Sequence, residues 1–590
     1  MTRAGHGDRV GELDIATLRE RYRSGELTPL SVVDAVLQRI ADRGDDAVWI
    51  SRVPPDEVRA VAARLDASRL EDLPLYGVPF AVKDNIDVAG LETTAACPAF
   101  GYVAAASAPL VESLVAAGAV LVGKTNLDQF ATGLSGARSP YGVPSSAHDP
   151  ELISGGSSSG SAVAVAAGLV TFAIGTDTAG SGRVPAALNG VVGLKPSIGL
   201  VSAVGVVPAC RSLDCASVFA GSVADAAAVL HVVGGFDERD PWSRRTPVPP
   251  AAPSPVELAG LRVAVPSGPQ RWGERGEQAA WDSLLARLAA AGTVLVPVDL
   301  GAFLEAGRQL YQGAWVAERR HGLEEFLETH PDDVLPVIRT ILEDGEAVAG
   351  VDVFGALTGM QQLRRSAYAV LDSVDVLLTP TVTETFTIEE MLADPIELNS
   401  RLGTFTTFTN LLDLCAVAVP AGGPPGAPFG VTVQARAGRD SLVAAVAEAL
   451  EAQQSGPPDE GLLIAVVGAH LRGMPLHDDL VLRGAELVER TTTDASYRLF
   501  ALAGTVPPKP GLRRVDCDGA EIEVEVYRMP LAQVGGFLAT VAAPLAIGQV
   551  TLVDGRVVHG FVCEPQGFDD AVDITAYGGW RAFREAAIRG

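Results

Sequence analysis

Apolar residues near the start of the chain recur at the spacing of a helix. They are Leu18, Leu30, Val33, Val36 and Ile40, and the polar segment SGELTP interrupts the series. Positions three or four apart share one face of a helix, whereas a short run containing Ser, Gly and Pro separates one helix from the next. The pattern predicts two helices between residues 13 and 43.

Farther along, short apolar runs alternate with helical stretches. LPLYGVPFAVKDNIDV reads as a buried strand that enters a loop, and LVESLVAAGAVLVGKTN reads as a helix, a glycine break and a second strand. The alternation resumes at Leu258–Gly268 after a proline-rich segment. Strands that alternate with helices predict an α/β fold with a mixed or mainly parallel central sheet covered by helices.

The pattern of predicted elements changes after Gln454. The segment SGPPDEG is a turn-forming joint, and beyond it YRLFALAG, AEIEVEVYRM and GQVTLVDGRVVHGFVCE read as short strands with few helices between them. The chain has 590 residues, and a single core stops growing at about 250–300 residues. We therefore expect two domains, residues 1–455 and a smaller α+β domain at residues 456–590.

Composition and charge exclude several kinds of partner. Apolar residues make up 48% of the chain and charged residues 20%, as in a folded globular protein. The formal net charge of −27, without a long basic stretch, repels polyanions. The N-terminal segment lacks the apolar core of a signal peptide, and the longest apolar run, Ala162–Gly175, is shorter than the roughly 18 residues that span a bilayer. We expect no nucleic-acid and no membrane partner.

The cysteines favour a reducing compartment. None has CxxC spacing to another, which disfavours both a zinc site and a disulfide framework. We therefore expect a cytoplasmic protein without a metal or another cofactor. The six residues are Cys97, Cys210, Cys215, Cys415, Cys517 and Cys563.

Two short motifs suggest chemistry that their surroundings do not support. GAVLVGKT, residues 118–125, has the letters of a phosphate-binding loop, but its four middle residues are apolar and a helix precedes it where a strand is required. GSSSG, residues 156–160, has the letters of a nucleophile elbow around Ser158, but only the short ELIS precedes it, and no downstream histidine sits in an obvious strand-end loop. Both remain weaker alternatives.

Residues 155–181 instead carry two serine-bearing loops around a buried helix and strand. A Gly/Ser linker would be polar on both sides, yet AVAVAAGLVTFAIG follows directly. With GVPFAVKDN upstream and RVPAALNGVVGLKPSIG downstream, the arrangement closely resembles the amidase signature family over roughly residues 13–450. The resemblance implies that family's fold and a Ser-cisSer-Lys triad, which falls on Lys83, Ser157 and Ser181.

The triad makes chemical sense in these residues. A serine hydroxyl needs a base, and Lys83, on an apolar strand, is neutral if burial lowers its pKa by about three units. Ser157 relays the proton between Lys83 and the nucleophile Ser181, as the family's cis-serine does. Small residues before Ser181 let backbone N–H groups face a developing oxyanion. The substrate-binding residues expected in this loop are Thr178, Ala179 and Gly180.

Three further segments resemble the allophanate hydrolases, and they are GKTNLDQFATGLSGARSPYG, GVVPACRSLDCASVFA and LYQGAWVAERR. The tail GTVPPKPGLRRV resembles their C-terminal domain. This resemblance implies allophanate, a small planar anion, as the substrate, with its carboxylate bound by Tyr311 and Arg319. A guanidinium binds a carboxylate through two parallel hydrogen bonds. Tyr311 and Arg319 are eight positions apart and are expected on nearly the same face of one helix, and the backbone of Gly133 is a further pocket candidate.

The same resemblance implies a division of labour and a homodimer. The amidase domain would release ammonia from allophanate and leave N-carboxycarbamate, and the C-terminal domain would promote its decarboxylation. His470 is the candidate for that second role, although a structural histidine is an equally good interpretation of one His in an apolar stretch. PLHDDL, residues 475–480, stands where the family has a pattern like PLNxQL.

Other functions remain open on the sequence. A broad-specificity amidase, or the amidase subunit of a tRNA-dependent amidotransferase, would share the triad. Amidotransferase subunits lack the C-terminal domain and act on a large nucleic acid, which the net charge of −27 disfavours. An inactive binding scaffold is disfavoured because Lys83, Ser157 and Ser181 are all present.

Overall fold

The computed structural model describes residue 10 and residues 13–424, 426–454 and 461–589. The chain divides into two compact units, Met1–Gln454 and Ser455–Gly590. The joint expected after Gln454 falls on residues 455–460, which lie outside the described residues. Each unit is built around its own hydrophobic core.

A mixed sheet forms the centre of the first unit. The strands of this unit are β1 (Trp49–Arg52), β2 (Pro79–Lys83), β3 (Glu92–Thr93), β4 (Tyr102–Val103), β5 (Val120–Thr125), β6 (Phe172–Asp177), β7 (Val192–Lys195), β8 (Cys215–Ala220), β9 (Arg262–Pro266), β10 (Val294–Val298), β11 (Val376–Pro380), β12 (Leu414–Pro420) and β13 (Gly430–Arg436). Over the described residues, eleven of them pair in the order β1-β5-β2-β6-β8-β7-β12-β13-β11-β9-β10, while β3 and β4 form a separate pair. β2 runs parallel to β5 and β6, and β6 runs antiparallel to β8, so the sheet is mixed.

Helices cover this sheet on both faces. Successive residues of a strand point to opposite faces, and in β2 the side chains of Phe80 and Val82 join one hydrophobic cluster while Ala81 joins another. The helices of the first unit are α1 (Ile15–Arg23), α2 (Pro29–Arg43), α3 (Pro55–Ala63), α4 (Pro109–Ala116), α5 (Ser159–Ala166), α6 (Val184–Leu188), α7 (Val223–Val233), α8 (Glu277–Ala290), α9 (Gly301–Gln312), α10 (Trp315–Arg320), α11 (Glu324–Thr329), α12 (Pro336–Glu343), α13 (Gly350–Leu371), α14 (Ile388–Ala393), α15 (Glu397–Leu402), α16 (Phe408–Leu411) and α17 (Asp440–Gln454).

The two helices predicted at the start of the chain are α1 and α2. Thr28 caps α2 by accepting a hydrogen bond from the Ser31 N–H, while the Ser31 hydroxyl accepts from the Thr28 N–H. The buried stripe of α2 runs through Val33, Val36 and Ile40, as predicted. Leu30 is instead exposed, because at 100° per residue it falls at the border of that stripe.

The second unit is a smaller α+β domain. Its strands are β14 (Gly461–Val466), β15 (Glu486–Thr492), β16 (Tyr497–Ala501), β17 (Pro510–Arg514), β18 (Glu523–Pro530), β19 (Leu545–Thr551), β20 (Val557–Cys563) and β21 (Val572–Asp573). Its helices are α18 (His477–Leu482), α19 (Leu531–Leu538) and α20 (Trp580–Arg589). Five strands pair as β15-β18-β14-β20-β19, and three pair as β17-β16-β21. The predicted fold class, an α/β unit with a mixed sheet followed by a smaller α+β unit, is confirmed.

The directions of β2 and β6 indicate which edge of the sheet carries the candidate site. β2 and β6 are adjacent and parallel, so their carboxyl ends meet at one edge of the sheet. Ligands of such sheets bind beyond the carboxyl ends of the strands. Lys83 ends β2, and the loop that carries Ser181 follows β6. None of the described helices is long and apolar enough to cross a membrane.

Candidate active site

Lys83 is held at the end of β2 by two hydroxyl groups. Its Nζ lies 2.8 Å from Ser157 Oγ and 2.7 Å from Thr176 Oγ1, and it donates to both. The side chain of Lys83 has no solvent exposure. Thr176 belongs to β6 and Ser157 to the loop before α5, so the two elements fix the amine from two sides.

The environment of Lys83 favours the neutral amine. Burial lowers the pKa of Lys83 to about 7, although the carboxylates of Asp128, Asp214 and Asp177 act in the opposite direction. The fall of about three units expected from the apolar strand is therefore present. A lysine with a pKa near neutrality can accept a proton at the pH of the cell.

Ser157 follows a cis peptide bond between Gly156 and Ser157. This is the geometry that the resemblance implies for the relay serine. The backbone around it is anchored because the Gly156 N–H donates to the Leu134 carbonyl at 2.7 Å and the Asp128 N–H donates to the Ser157 carbonyl at 3.1 Å. The loop that carries Ser157 is thus tied to residues 128–134.

Ser181 lies in a loop that a buried ion pair closes. Asp177 binds the Arg183 guanidinium at 2.9 and 3.0 Å, and neither side chain has solvent exposure. The two oxygens of Asp177 also accept from the N–H groups of Gly180 and Gly182, each at 3.0 Å. The residues on both sides of Ser181 are therefore fixed to one carboxylate. Burial acts to raise the pKa of that carboxyl, but the charge and hydrogen bonds of Arg183, the charge of Lys195 and the Gly182 N–H together outweigh burial, and the pKa is lowered.

The Ser181 hydroxyl points toward Gly133 in this structure. Ser181 Oγ lies 3.5 Å from the Gly133 carbonyl, to which it donates, and Ser181 is 2% exposed. Within the described residues, Ser157 Oγ bonds to Lys83 and not to Ser181. The structure thus brings Lys83 and Ser157 into direct contact, and it brings Ser181 into contact with the predicted pocket residue Gly133.

The three residues expected at an oxyanion have different surroundings. The Gly180 N–H donates to Asp177 Oδ1 at 3.0 Å. Thr178 donates its hydroxyl to the buried carboxylate of Asp214. Burial raises the pKa of Asp214 to about 6. Thr178 and Ala179 both lie between the end of β6 and Ser181, and Ala179 is buried.

Tyr311 and Arg319 are close together but do not share one helix. Tyr311 lies in α9 and Arg319 in α10, and the prediction of a single helix through both is wrong. Gly313 ends α9 in an extended conformation, and glycine is a poor helix former. The Arg319 guanidinium carbon still lies 4.7 Å from the centre of the Tyr311 ring, a cation–π contact.

Arg319 is a buried cation with unused hydrogen-bonding capacity. Its Nη1 donates to Thr132 Oγ1 at 3.2 Å, and the residue is 2% exposed. The Nε of Arg319 has no hydrogen-bond partner among the described residues. Thr132 precedes Gly133, so Arg319 reaches the same loop that contacts Ser181. A buried guanidinium with a free donor is suited to bind a small anion.

The two alternative motifs have structural roles. Lys124 of GAVLVGKT lies in β5, fully buried, with its Nζ 3.0 Å from Asp84 Oδ1. It cannot bind a phosphate there, because the residues of the supposed loop are a strand. Ser158 donates its hydroxyl to the Thr176 carbonyl at 3.1 Å and accepts from the Thr176 N–H at 3.3 Å. It fastens the end of β6 and contacts no histidine among the described residues.

His470 lines a cavity of about 350 Å³ in the second unit. Its ring stacks on Phe561 at 5.1 Å, and burial lowers the pKa of His470 to about 4. Asp479 of the PLHDDL segment and Lys509 line the same cavity. Asp479 also forms an ion pair with Arg483 at 3.1 Å. His470 is therefore both a packed aromatic ring and a cavity residue.

Sequence reasoning missed several residues of the site. Thr176 binds Lys83, Asp214 binds Thr178, and Thr132 binds Arg319. Threonine and aspartate are common in loops, so the sequence offers no periodic signal for these contacts. For all three residues the usable signal was position, because each lies within a segment that the resemblance had singled out.

Comparisons with known proteins find matches to both parts of the chain. A family model described as Amidase matches residues 31–444, and one described as Allophanate hydrolase C-terminal domain matches residues 462–585. Urea amidolyase of Saccharomyces cerevisiae is 41% identical over 577 residues, which are 92% of this chain and 31% of the yeast protein. A glutamyl-tRNA(Gln) amidotransferase subunit from Symbiobacterium thermophilum is 35% identical, over 74% of this chain and 96% of its own length. The structure of Kluyveromyces lactis allophanate hydrolase matches with a TM-score of 0.70 and 38% identity, over 96% of this chain and 99% of that one.

The chain belongs to the amidase family, a class of amide hydrolases. Behind the amidase region it carries an allophanate hydrolase C-terminal domain. The resemblance drawn from the motifs is therefore confirmed for both parts. The chain spans 31% of the length of the urea amidolyases that it matches.

Proposed function

We propose that this protein hydrolyses the terminal amide of allophanate, with Ser181 as the nucleophile, Ser157 as the relay and Lys83 as the base. The observation that carries the proposal is the buried chain from Lys83 to Ser157 beside the Ser181 loop. Thr178 and Ala179, whose N–H groups precede Ser181, stabilise the oxyanion. Two matches support allophanate as the substrate: the Kluyveromyces lactis structure is an allophanate hydrolase, and the matched C-terminal domain is that of allophanate hydrolases.

The first step is acyl transfer. The Ser181 hydroxyl turns from Gly133 to Ser157 and attacks the amide carbonyl, and its proton passes through Ser157 to the neutral Lys83. The C–N bond then breaks, and the same proton returns to the departing ammonia. Water hydrolyses the acyl-enzyme by the reverse relay and releases N-carboxycarbamate. Arg319 and Tyr311 hold the substrate carboxylate throughout.

We expect Arg319→Ala to lower kcat/KM for allophanate by about ten- to a hundredfold, because a hydrogen bond to a charged group contributes about 1.5–3 kcal/mol. A small neutral amide such as propionamide makes no such contact, so its kcat/KM should change by less than about threefold. Steady-state ammonia release on the two substrates measures the difference.

Arg320→Ala is the matched control for this prediction. Arg320 lies next in α10 and pairs with Glu346 at 3.5 Å instead of reaching Thr132. It should leave both substrates unaffected. An equal loss on allophanate and on the neutral amide in Arg319→Ala would mean that the residue supports the fold and binds no anion.

The second candidate function of the amidase unit is that of a broad amidase or an amidotransferase subunit. The 35% identity to an amidotransferase subunit over 74% of the chain supports it. An assay of ammonia release separates the two candidate functions. It compares allophanate, malonamide, benzamide and glutamine at one concentration. A preference for glutamine over allophanate would overturn the proposed substrate.

We further propose that the C-terminal unit promotes decarboxylation of N-carboxycarbamate, with His470 in its cavity as the active residue. We expect His470→Gln in the full chain to release the first ammonia at the wild-type rate but to let N-carboxycarbamate accumulate. The pKa of His470, which burial lowers to about 4, keeps its imidazole neutral, so its role is to bind a carboxylate of the intermediate through a ring N–H, and water supplies the proton that the nitrogen gains as CO₂ leaves. ¹³C NMR at raised pH detects the intermediate.

His559→Gln is the control, because His559 is an exposed histidine of β20 in the same unit. It should not change the intermediate. If N-carboxycarbamate accumulates equally in wild type, His470→Gln and His559→Gln, the C-terminal unit is a structural module without a catalytic role.

The remaining expectations are also proposals. All six cysteines are free thiols, which supports a reducing, cytoplasmic location. The homodimer rests on the resemblance to the family. Sedimentation velocity of the full chain tests the dimer directly.

A further inference from the structure

Asp128 is a buried carboxylate of the first unit that the proposed chemistry does not use. It follows β5 and has no solvent exposure. Its Oδ1 accepts from the Arg138 N–H at 2.9 Å, and its Oδ2 accepts from the Gly136 N–H at 3.1 Å. Because both oxygens accept from N–H donors, the contacts favour the ionised form, while burial raises the pKa of this carboxyl.

The carboxylate fills the space between two loops of the active site. A Cβ added to Gly133 would lie 2.5 Å from Asp128 Oδ2, and one added to Gly156 would lie 2.2 Å from the same oxygen. Real Cβ atoms do not approach that closely, so both loops approach the carboxylate through bare Cα atoms. The Asp128 N–H donates to the Ser157 carbonyl. One residue thus touches the loop of Gly133 and the loop of Ser157.

We propose that Asp128 is a positioning residue that sets Ser157 and Gly133 in register with Lys83 and whose negative charge acts on the Lys83 amine. The inference rests on the proposed triad but not on the identity of the amide. The carboxylate acts through the backbone of the two loops and touches no reacting atom. Its effect is on the rate of Ser181 acylation, because the substrate carboxylate is bound elsewhere, by Arg319.

The charge of Asp128 is one of three that face Lys83. The others are Asp177 and Asp214. Asp177 is neutralised by Arg183 at 2.9 Å, and the cation of Arg319 acts on Asp214. Arg138 acts on Asp128. The three carboxylates together oppose the fall in the pKa of Lys83 that burial causes, so the loss of one of them lowers that pKa further.

The test compares Asp128→Asn and Asp128→Glu with wild type. In Asp128→Asn the new amide NH₂ faces an N–H donor and pushes the loops apart, and a misplacement of about 1 Å costs about a hundredfold in rate. We expect kcat to fall about a hundredfold while KM for allophanate stays within about threefold. The acid limb of kcat/KM should move to lower pH.

Asp128→Glu separates charge from geometry. It keeps the charge but has no room beside Gly133 and Gly156, so the rate should fall while the acid limb stays near pH 7, the pKa of Lys83 in the wild-type protein. The same two effects should appear in the rate at which a fluorophosphonate labels Ser181. That readout does not depend on allophanate, so failure of the proposed substrate leaves this inference testable.

Asp440→Asn is the matched control. Asp440 is a buried aspartate of α17 that accepts from the Ser197 N–H at 2.7 Å and from the Ser197 hydroxyl at 2.5 Å, and it is not among the carboxylates that act on Lys83. The Asp440→Asn variant should lose thermal stability, but the acid limb of its kcat/KM profile should stay at the wild-type pH. If Asp128→Asn does not fold, Asp128→Ser, which is smaller and keeps an acceptor, takes its place.

The outcomes are distinct. An acid limb at lower pH with a loss confined to kcat supports the positioning role. An unmoved acid limb in Asp128→Asn or Asp128→Ser, or a labelling rate within threefold of wild type, overturns it. So does a parallel loss in Asp440→Asn, since a general loss of stability would then explain both variants.

Discussion

Ser181→Ala should abolish ammonia release from allophanate while the protein stays folded. Removal of the nucleophile leaves no group that can form the acyl-enzyme, and in hydrolases with such units the loss is about 10⁴-fold or more. The fold should persist because the Ser181 hydroxyl makes one 3.5 Å contact, to the Gly133 carbonyl. Ammonia release, with circular dichroism on the same sample, measures both parts.

A comparison of two neighbouring serines is the control for Ser181→Ala. Ser157→Ala removes the proposed relay, which is one of the two hydroxyl acceptors of the Lys83 amine, and should be nearly as damaging. Ser158→Ala removes a hydroxyl that bonds only to the Thr176 backbone within the described residues and should be much milder. The reverse order would favour the nucleophile elbow, and activity within tenfold of wild type in Ser181→Ala would exclude this residue as the nucleophile.

Much of the fold could be predicted because it rests on repeating patterns. The strand of Lys83 is apolar on both faces, and a strand buried on both faces belongs inside a covered sheet. The order of the eleven strands has no such signal, since β6 pairs with β8 while β2 lies on its other side. Which strands become neighbours depends on long-range packing that no local pattern records.

The motifs anticipated one contact between candidate site residues but not the others. Lys83 and Ser157 meet at 2.8 Å, which the motifs implied. The break between Tyr311 and Arg319 was not anticipated, because spacing alone assumes that a helix continues and Gly313 ends it. The engagement of the Gly180 N–H by Asp177 also depends on a loop conformation that small residues permit but do not specify.

Ser181 and Arg319 contact neighbouring residues of one segment. In the structure, Lys83 donates a hydrogen bond to Ser157, whereas the Ser181 hydroxyl donates to the Gly133 carbonyl. Gly133 is also the residue next to Thr132, which binds Arg319. Ser181 and Arg319 therefore contact two adjacent residues of the same short segment.

Lys83→Met should reduce ammonia release nearly as far as Ser181→Ala does, by about 10³-fold or more, because no other base contacts Ser157 within the described residues. Methionine has a similar length and no charge, so it suits a site in which the lysine is fully buried. Thermal unfolding should confirm that the variant is folded, and fluorophosphonate labelling of Ser181 should slow in parallel with ammonia release.

The pH dependence of the wild type tests the same residue without a substitution. The folded pKa of Lys83, about 7, lies below its usual value because of burial, so the active neutral amine is lost as the pH falls through 7. We expect kcat/KM to be level above that pH and to drop about tenfold per unit below it. Lys83→Arg, which stays charged at every accessible pH, should be inactive across the whole range. An acid limb centred below pH 5 in the wild type, or activity of Lys83→Arg that returns at high pH, would mean that a group other than Lys83 takes the proton from the serine pair.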